Sequence, residues 1–162
     1  MTGVRVRVAI GLGSNLGDRR KHLDEAVLEL AELGDVSSVS SFYETAPIGG
    51  PEQGDYLNAV ALVETDAAPR RVLELLLAVE YGHDRQRKER NGPRTLDLDL
   101  LLYGDRVINE PGLSVPHQHM TERRFVLEPL AEVWPDASLP DGTTITGLLR
   151  AVAGQHVRLA TE

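Results

Sequence analysis

Up to Tyr103 the hydrophobic period switches in one order: two, 3.6, two, two, 3.6, two. Few folds accept that order. Val4, Val6, Val8 and Ile10 alternate with Arg5, Arg7 and Ala9, the pattern of a half-buried strand. Gly11 to Gly17 reads as a tight turn. Asp18 follows as N-cap of a helix carrying Leu23, Ala26, Val27, Leu30 and Leu33, with Gly34 as its stop. Val36 to Glu44 reads as a second strand diluted by serines, and Thr45 to Gly54 as a Pro/Gly loop. Tyr56 to Thr65 is a third strand, with Tyr56, Asn58, Val60 and Leu62 on one face and Leu57, Ala59, Ala61 and Val63 on the other. Pro69 opens a second helix, where its missing N–H costs nothing, with Val72, Leu73, Leu76 and Val79 as its apolar stripe. Gly82 to Thr95 is a polar loop, and Leu96 to Tyr103 a fourth strand.

Two strand–helix–strand halves joined this way predict an α+β, ferredoxin-like βαββαβ sandwich: a mainly antiparallel sheet with helices on one face. C-terminal additions follow: a turn at Gly104-Asp105, a strand from Arg106 to Ile108, a helix from Glu122 to Val133 bent or restarted at Pro129, a short helix from Thr146 to Val152, and a loosely held tail. No linker or repeat is visible, so residues 1–162 read as one domain with a core at about 4–145.

The chain has 162 residues, no cysteine and a formal charge of −8. These exclude a disulfide scaffold, a thiol nucleophile and non-specific nucleic-acid binding across the whole surface. The apolar stretches are too short for a membrane span, and Met1 to Arg7 leads into a strand rather than a signal peptide, so a cytoplasmic location is expected; the chain is separately expected to be a monomer.

The segment Arg94-Thr95-Leu96-Asp97-Leu98-Asp99 carries the strongest chemical signal. On a strand Asp97 and Asp99 share a face, with Leu96, Leu98 and Leu100 on the other. Two carboxylates roughly 6 Å apart repel by about 3 kcal/mol at an effective dielectric near 20. A hard dication relieves that repulsion, and Mg²⁺ is the usual one beside phosphates. The same pattern also suits a solvated edge strand. Arg85, Arg87, Lys88, Arg90 and Arg94 place five of the 17 basic residues in ten positions, where an even spread gives about one. A basic loop directly before two acids, in an acidic protein, fits a polyphosphate ligand; diluted by Asp84 and Glu89, it also fits a solvated loop. Tyr56 and Asn58 share a strand face and could supply a ring platform and an edge-reading amide for a planar heterocycle, with Phe125 opposite. Either aromatic taken alone reads as core.

The glycine run is not a dinucleotide-binding fingerprint, because its third glycine comes one residue late and the element order is wrong. His117-Gln118-His119 lacks an evident third metal ligand, and His117 reads better as a hydrogen-bonding group near a polyphosphate. His22, His83 and His156 sit among polar residues and receive no role.

Taken in order, Gly11-Leu-Gly-Ser-Asn-Leu-Gly17, Ser41-Phe-Tyr-Glu-Thr45, Asp55-Tyr-Leu-Asn-Ala59, Gly92-Pro-Arg-Thr-Leu-Asp-Leu-Asp99 and Val115-Pro-His117 resemble the 6-hydroxymethyl-7,8-dihydropterin pyrophosphokinases of folate biosynthesis, from about Val8 to Pro140. The resemblance implies transfer of the β,γ-diphosphate of ATP to the hydroxymethyl group of a reduced pterin, releasing AMP, with two Mg²⁺ ions. It implies Asp97 and Asp99 as metal ligands and Arg85 and Arg94 as assistants of transfer. It implies Glu80, Arg87, Lys88, Leu100, Ser114, His117 and Arg123 around ATP, and Thr45, Pro47, Ile48, Tyr56, Asn58 and Phe125 around the pterin, with Tyr56 and Phe125 sandwiching the ring. Asn91 stands where some members have a large aromatic, and Gly112 and Gln118 replace larger side chains. Two rivals use the same residues: a Mg²⁺-dependent phosphohydrolase without a heterocycle pocket, and a module that holds an anion on the basic loop without turnover.

Overall fold

The computed structural model describes residues 4–47, 53–83 and 95–160. One sheet organises the chain, with strands in the order β5-β1-β4-β3-β8 and β2 also paired to β4. Its members are β1 (Val6–Ser14), β2 (Gly34–Val39), β3 (Tyr43–Thr45), β4 (Tyr56–Thr65), β5 (Asp97–Tyr103) and β8 (Arg158–Leu159). β6 (Ile108–Glu110) and β7 (Leu113–Val115) form a separate hairpin. All pairings among the described residues are antiparallel. With β2 and β3 counted as one interrupted strand, this is the expected ferredoxin-like order.

The strand–helix periodicity holds for the first two helices. α1 (Arg19–Leu30) is capped by the Asp18 carboxylate accepting from the Lys21 amide at 3.2 Å, and α2 (Pro69–Gly82) starts at its proline. Both pack on one face of the sheet, where Leu23, Ala26, Leu30, Val72, Leu76 and Val79 meet Val8, Ile10, Leu12, Ala59, Ala61, Val63, Leu98 and Leu100. Helices also cover the other face, which corrects the one-sided expectation. α3 (Arg124–Val133) and α4 (Ile145–Ala151) bury Leu127, Leu130 and Ile145 against Ala9, Val60, Leu62, Leu101 and Leu102. β4 therefore buries both its faces, the two faces its alternation had assigned. Leu101 and Leu102 reach the same face through a register shift against β1 at Ala9/Ile10, which places an extra residue in β5.

Other boundaries differ from expectation: α1 ends at Leu30, so Leu33 lies beyond it and Gly34 opens β2 rather than stopping the helix. The glycine run is not a turn up to Gly17: β1 continues through Gly11 and Gly13 to Ser14. The second strand breaks at Ser40 to Phe42, and Ser40 bridges the break: its amide donates to the Val60 carbonyl at 2.9 Å and its hydroxyl accepts from the Val60 amide at 3.0 Å. α3 runs through Pro129 without restarting, and a separate 3₁₀ turn, Met120–Glu122, precedes it. The tail is not loose. β8 pairs with β3, and Arg158 bonds Glu44 at 2.8 Å and Asp55 at 3.2 Å.

Glu132 clamps α3 to β3 by accepting from the Tyr43 hydroxyl at 2.6 Å and from the Ser41 amide and hydroxyl at 2.8 and 2.9 Å. Burial alone would raise its pKa, but these bonds outweigh burial and hold it below the usual glutamate range. A depressed carboxyl contributes stability above its unfolded pKa of about 4.3 and loses it as pH falls toward the folded value. Glu132→Gln is therefore expected to lower stability by about 1 kcal/mol at pH 7, a value discounted for its exposure. The difference should shrink by pH 3 in paired urea titrations.

Candidate active site

At the end of the sheet face covered by α3, a cavity of about 480 Å³ opens between β5, β1, β4 and the start of α3. Its floor follows from strand register. Gly13 pairs with Asp97 on one side and Asn58 on the other; two residues along, Gly11 pairs with Asp99 and Val60. Alternation puts all six on one face, so two residues without side chains separate a pair of carboxylates from an amide. A Cβ on Gly13 would lie 3.1 Å from Asn58 Oδ1 and 3.5 Å from Tyr56 Cδ1. The glycines keep the floor open, the use of strand glycine where a ligand approaches closely.

Asp97 and Asp99 line one side of this cavity, both part-exposed on β5. Beneath them Glu80 is 6% exposed and accepts from the Leu98 amide at 2.7 Å. It holds the backbone between the two aspartates from the α2 side. His117 Nε2 lies 3.7 Å from Asp99, while its Nδ1 accepts from the His119 amide at 3.2 Å. With Nδ1 an acceptor, the neutral ring carries its proton on Nε2, facing Asp99. Burial lowers the His117 pKa and the Arg123 charge adds to this, against the opposing pull of Asp99. His119, Arg123 and Phe125 line the wall, with the Arg123 guanidinium 5.7 Å from the Phe125 ring centroid.

Across the glycines, Tyr56, Asn58, Thr45 and Pro47 line the opposite side. Asn58 and Thr45 are each 5% exposed, and the Asn58 amide donates to the Thr45 hydroxyl at 2.8 Å. That hydroxyl keeps its own proton to donate. The β3 end of the wall is braced by Arg19, which donates to Glu44 at 2.8 Å and to the Asp55 carbonyl at 3.1 Å. The Arg19 bond holds the Glu44 carboxyl below its ordinary range.

The structure thus brings Asp97, Asp99, Arg123, Thr45, Pro47, Tyr56, Asn58 and Phe125 to one cavity, with His117 at its edge. Three residues expected around ATP do not line this cavity. The Leu100 side chain is in the core against α1 and α2, on the opposite face from Asp97 and Asp99. Ser114 is exposed on the β6–β7 hairpin, away from the cavity wall. Glu80 is under β5 rather than at the cavity. Ile48, Arg85, Arg87, Lys88, Asn91 and Arg94 lie outside the described residues. Sequence reasoning gave no site role to Gly11, Gly13 or His119, which line the cavity. The available signal for the glycines was their spacing of two directly after an alternating strand, which continues its parity.

The chain matches the family model for 7,8-dihydro-6-hydroxymethylpterin-pyrophosphokinase (HPPK) over residues 9–135. It is 43% identical over 147 residues to a 2-amino-4-hydroxy-6-hydroxymethyldihydropteridine pyrophosphokinase of Pseudomonas aeruginosa, covering 90% of this chain and 91% of that one. It is 42% identical over 146 residues to the protein of the same name from Haemophilus influenzae, covering 89% and 91%. Among solved structures, an HPPK-DHPS in complex with substrates superposes with a TM-score of 0.70 at 13% identity, over 92% of this chain. A Plasmodium falciparum HPPK-DHPS superposes with 0.72 at 15% identity, over 93%. This chain spans 43% and 45% of those longer chains, and the likeness concerns the fold. Fold and relatedness agree, and the chain belongs to the 7,8-dihydro-6-hydroxymethylpterin-pyrophosphokinase family.

Proposed function

We propose that this chain transfers the β,γ-diphosphate of ATP to the hydroxymethyl oxygen of 6-hydroxymethyl-7,8-dihydropterin. The bond from the β-phosphorus to the oxygen bridging it to the α-phosphate breaks, the hydroxymethyl oxygen bonds to that phosphorus and gives up its proton to solvent, and AMP leaves with the bridging oxygen. One observation carries this reading: the register that sets Asp97 and Asp99 across Gly11 and Gly13 from Asn58 and Tyr56, in one cavity. A phosphate-handling end and a heterocycle-handling end then face each other across a floor without side chains.

At the heterocycle end, Asn58 and Thr45 supply donors and acceptors to the polar edge of a pterin, while Tyr56 and Phe125 supply ring faces. At the other end, Asp97 and Asp99 would hold Mg²⁺, two ions in our reading. Two part-exposed carboxylates sharing a cavity face are an oxygen donor set suited to that ion. Mg²⁺ bound there supplies neutralisation of the polyphosphate charge. Arg123 adds positive charge from the α3 side, and His117 a neutral N–H donor beside Asp99. From the basic segment, Arg85, Arg87, Lys88 and Arg94 would complete the phosphate contacts. Such a site works by positioning and preorganised charge, and needs no covalent intermediate. No helix among the described residues is long and apolar enough to cross a membrane.

The test mixes protein, ATP, Mg²⁺ and the pterin and separates the nucleotides. AMP formed only in the presence of pterin is the expected result. Nucleotide hydrolysis indifferent to pterin would instead identify a phosphohydrolase, and absence of turnover a binding module. Asn58→Ala should weaken pterin binding by roughly 10- to 100-fold, because it removes the edge contacts and the partner of the Thr45 hydroxyl. ATP-analogue affinity should stay within a few-fold, and calorimetric titration of each ligand separates the two effects.

A further inference from the structure

We propose that His22, Glu25 and His83 form a binding site for a transition-metal dication of the zinc type. The site clips α1 to the C-terminal end of α2, separate from the catalytic cavity. His22 and Glu25 are one turn apart on α1, and His83 is the residue that ends α2. The Nδ1 atoms of His22 and His83 lie 2.8 Å apart, and a Glu25 carboxylate oxygen is 4.0 Å from His83 Nδ1. One ligand atom from each of the three falls within 4.8 Å of the others.

The tautomers support a metal between the two rings. His83 Nε2 lies 2.8 Å from a Glu29 carboxylate oxygen and donates its N–H there. In the neutral ring that leaves a lone pair on Nδ1, aimed at His22 Nδ1. Two imidazole nitrogens in that position need a proton or a cation between them. Zn–N and Zn–O bonds of about 2.0–2.2 Å separate the ligand atoms of a tetrahedron by roughly 3.3 Å. The 2.8 Å contact would open slightly and the 4.0 Å contact close slightly. Water fills the fourth position.

The His83–Glu29 bond is the outer-shell carboxylate–histidine pair that orients metal-binding imidazoles. Two carboxylates, Glu25 and Glu29, face His83 beside His22. Access is open on one side, since the His83 side chain is 7% exposed and that of Glu25 is 47%. Two imidazoles with one carboxylate favour zinc, nickel or copper over Mg²⁺, whereas the all-carboxylate pair on β5 has the opposite preference. The two sites are on different sides of the sheet, because α1 and α2 pack on the face away from α3. They are linked through backbone: Thr95, two residues before Asp97, donates its hydroxyl to the His83 carbonyl.

The experiment titrates the full-length, chelator-stripped protein with Zn²⁺ against a chromophoric zinc chelator, with Mg²⁺ in excess. One competing equivalent of Zn²⁺ is expected, together with a rise of several degrees in melting temperature. His22→Gln, part-exposed on α1 and so compatible with folding, should lower Zn²⁺ affinity by about 100-fold or more and abolish the melting shift. Glu29→Gln should lower affinity by about 10- to 100-fold. The Asp97→Asn/Asp99→Asn double variant should keep the full equivalent. Any of three results overturns the proposal: no competing equivalent, binding unchanged in His22→Gln, or binding lost in the aspartate double variant. None of these depends on whether the chain turns over a pterin.

Discussion

Asp97→Asn is expected to cut turnover by about a thousandfold or more, close to 4 kcal/mol of transition-state stabilisation. The substitution keeps the size of the side chain and removes only its charge. It acts at a position that lines the cavity and is part-exposed, so nothing in the core moves. Stability should respond in the opposite direction. Asp97 and Asp99 share a strand face, and carboxylates roughly 6 Å apart repel by about 3 kcal/mol at an effective dielectric near 20, less where solvent screens them. The variant should therefore melt at the same temperature as the parent or above it, measured without Mg²⁺. Activity lost while stability is kept or gained marks a charge retained for function. Full activity in Asp97→Asn would sink the assignment; equal loss of activity and stability would make Asp97 a folding residue.

Gly13→Val is expected to reduce pterin affinity more than 100-fold while leaving the fold intact. The backbone there is a regular strand paired on both sides, a conformation valine favours. The obstacle is space. The first carbon of the new side chain already comes within 3.1 Å of Asn58 Oδ1, and the two methyls beyond it enter the cavity floor. Gly13→Ala should give a graded loss, since Asn58 needs to yield only a few tenths of an ångström. Gly11→Ala should be milder still, because its Cβ would make ordinary 3.5 Å contact with Leu101. Calorimetric titration with the pterin and, separately, with a non-hydrolysable ATP analogue checks the series. Equal affinities for the pterin across it would mean the ring binds elsewhere.

Much of the architecture was readable from period alone. β4 carried its two faces in its alternation, α2 its start in Pro69, α1 its cap in Asp18, and the order of periods pointed to a mainly antiparallel βαββαβ sheet. Asp97 and Asp99 were assigned to one face by counting, because a strand's side chains alternate whatever surrounds it. The misreadings have a common cause. Glycine gives the same local signal in a turn and in a strand that must leave room for a ligand, so Gly11 and Gly13 were placed in a turn. Ser40 diluted a strand pattern because its hydroxyl does ladder work that no propensity encodes. The C-terminal helices gave no sign of which sheet face they cover, and the tail gave no sign that β3 had an open edge.

Local sequence thus determined which segments are strands or helices and which side chains share a face, since both depend on backbone geometry within a few residues. Only the tertiary structure decided what lies opposite what. Asn58 meets Asp97 across Gly13, and His22 meets His83 across two helices, because strand register and helix docking join residues 39 and 61 positions apart. Those pairings are set by the packing of the whole sheet against its helices, and no short window of the chain contains that information.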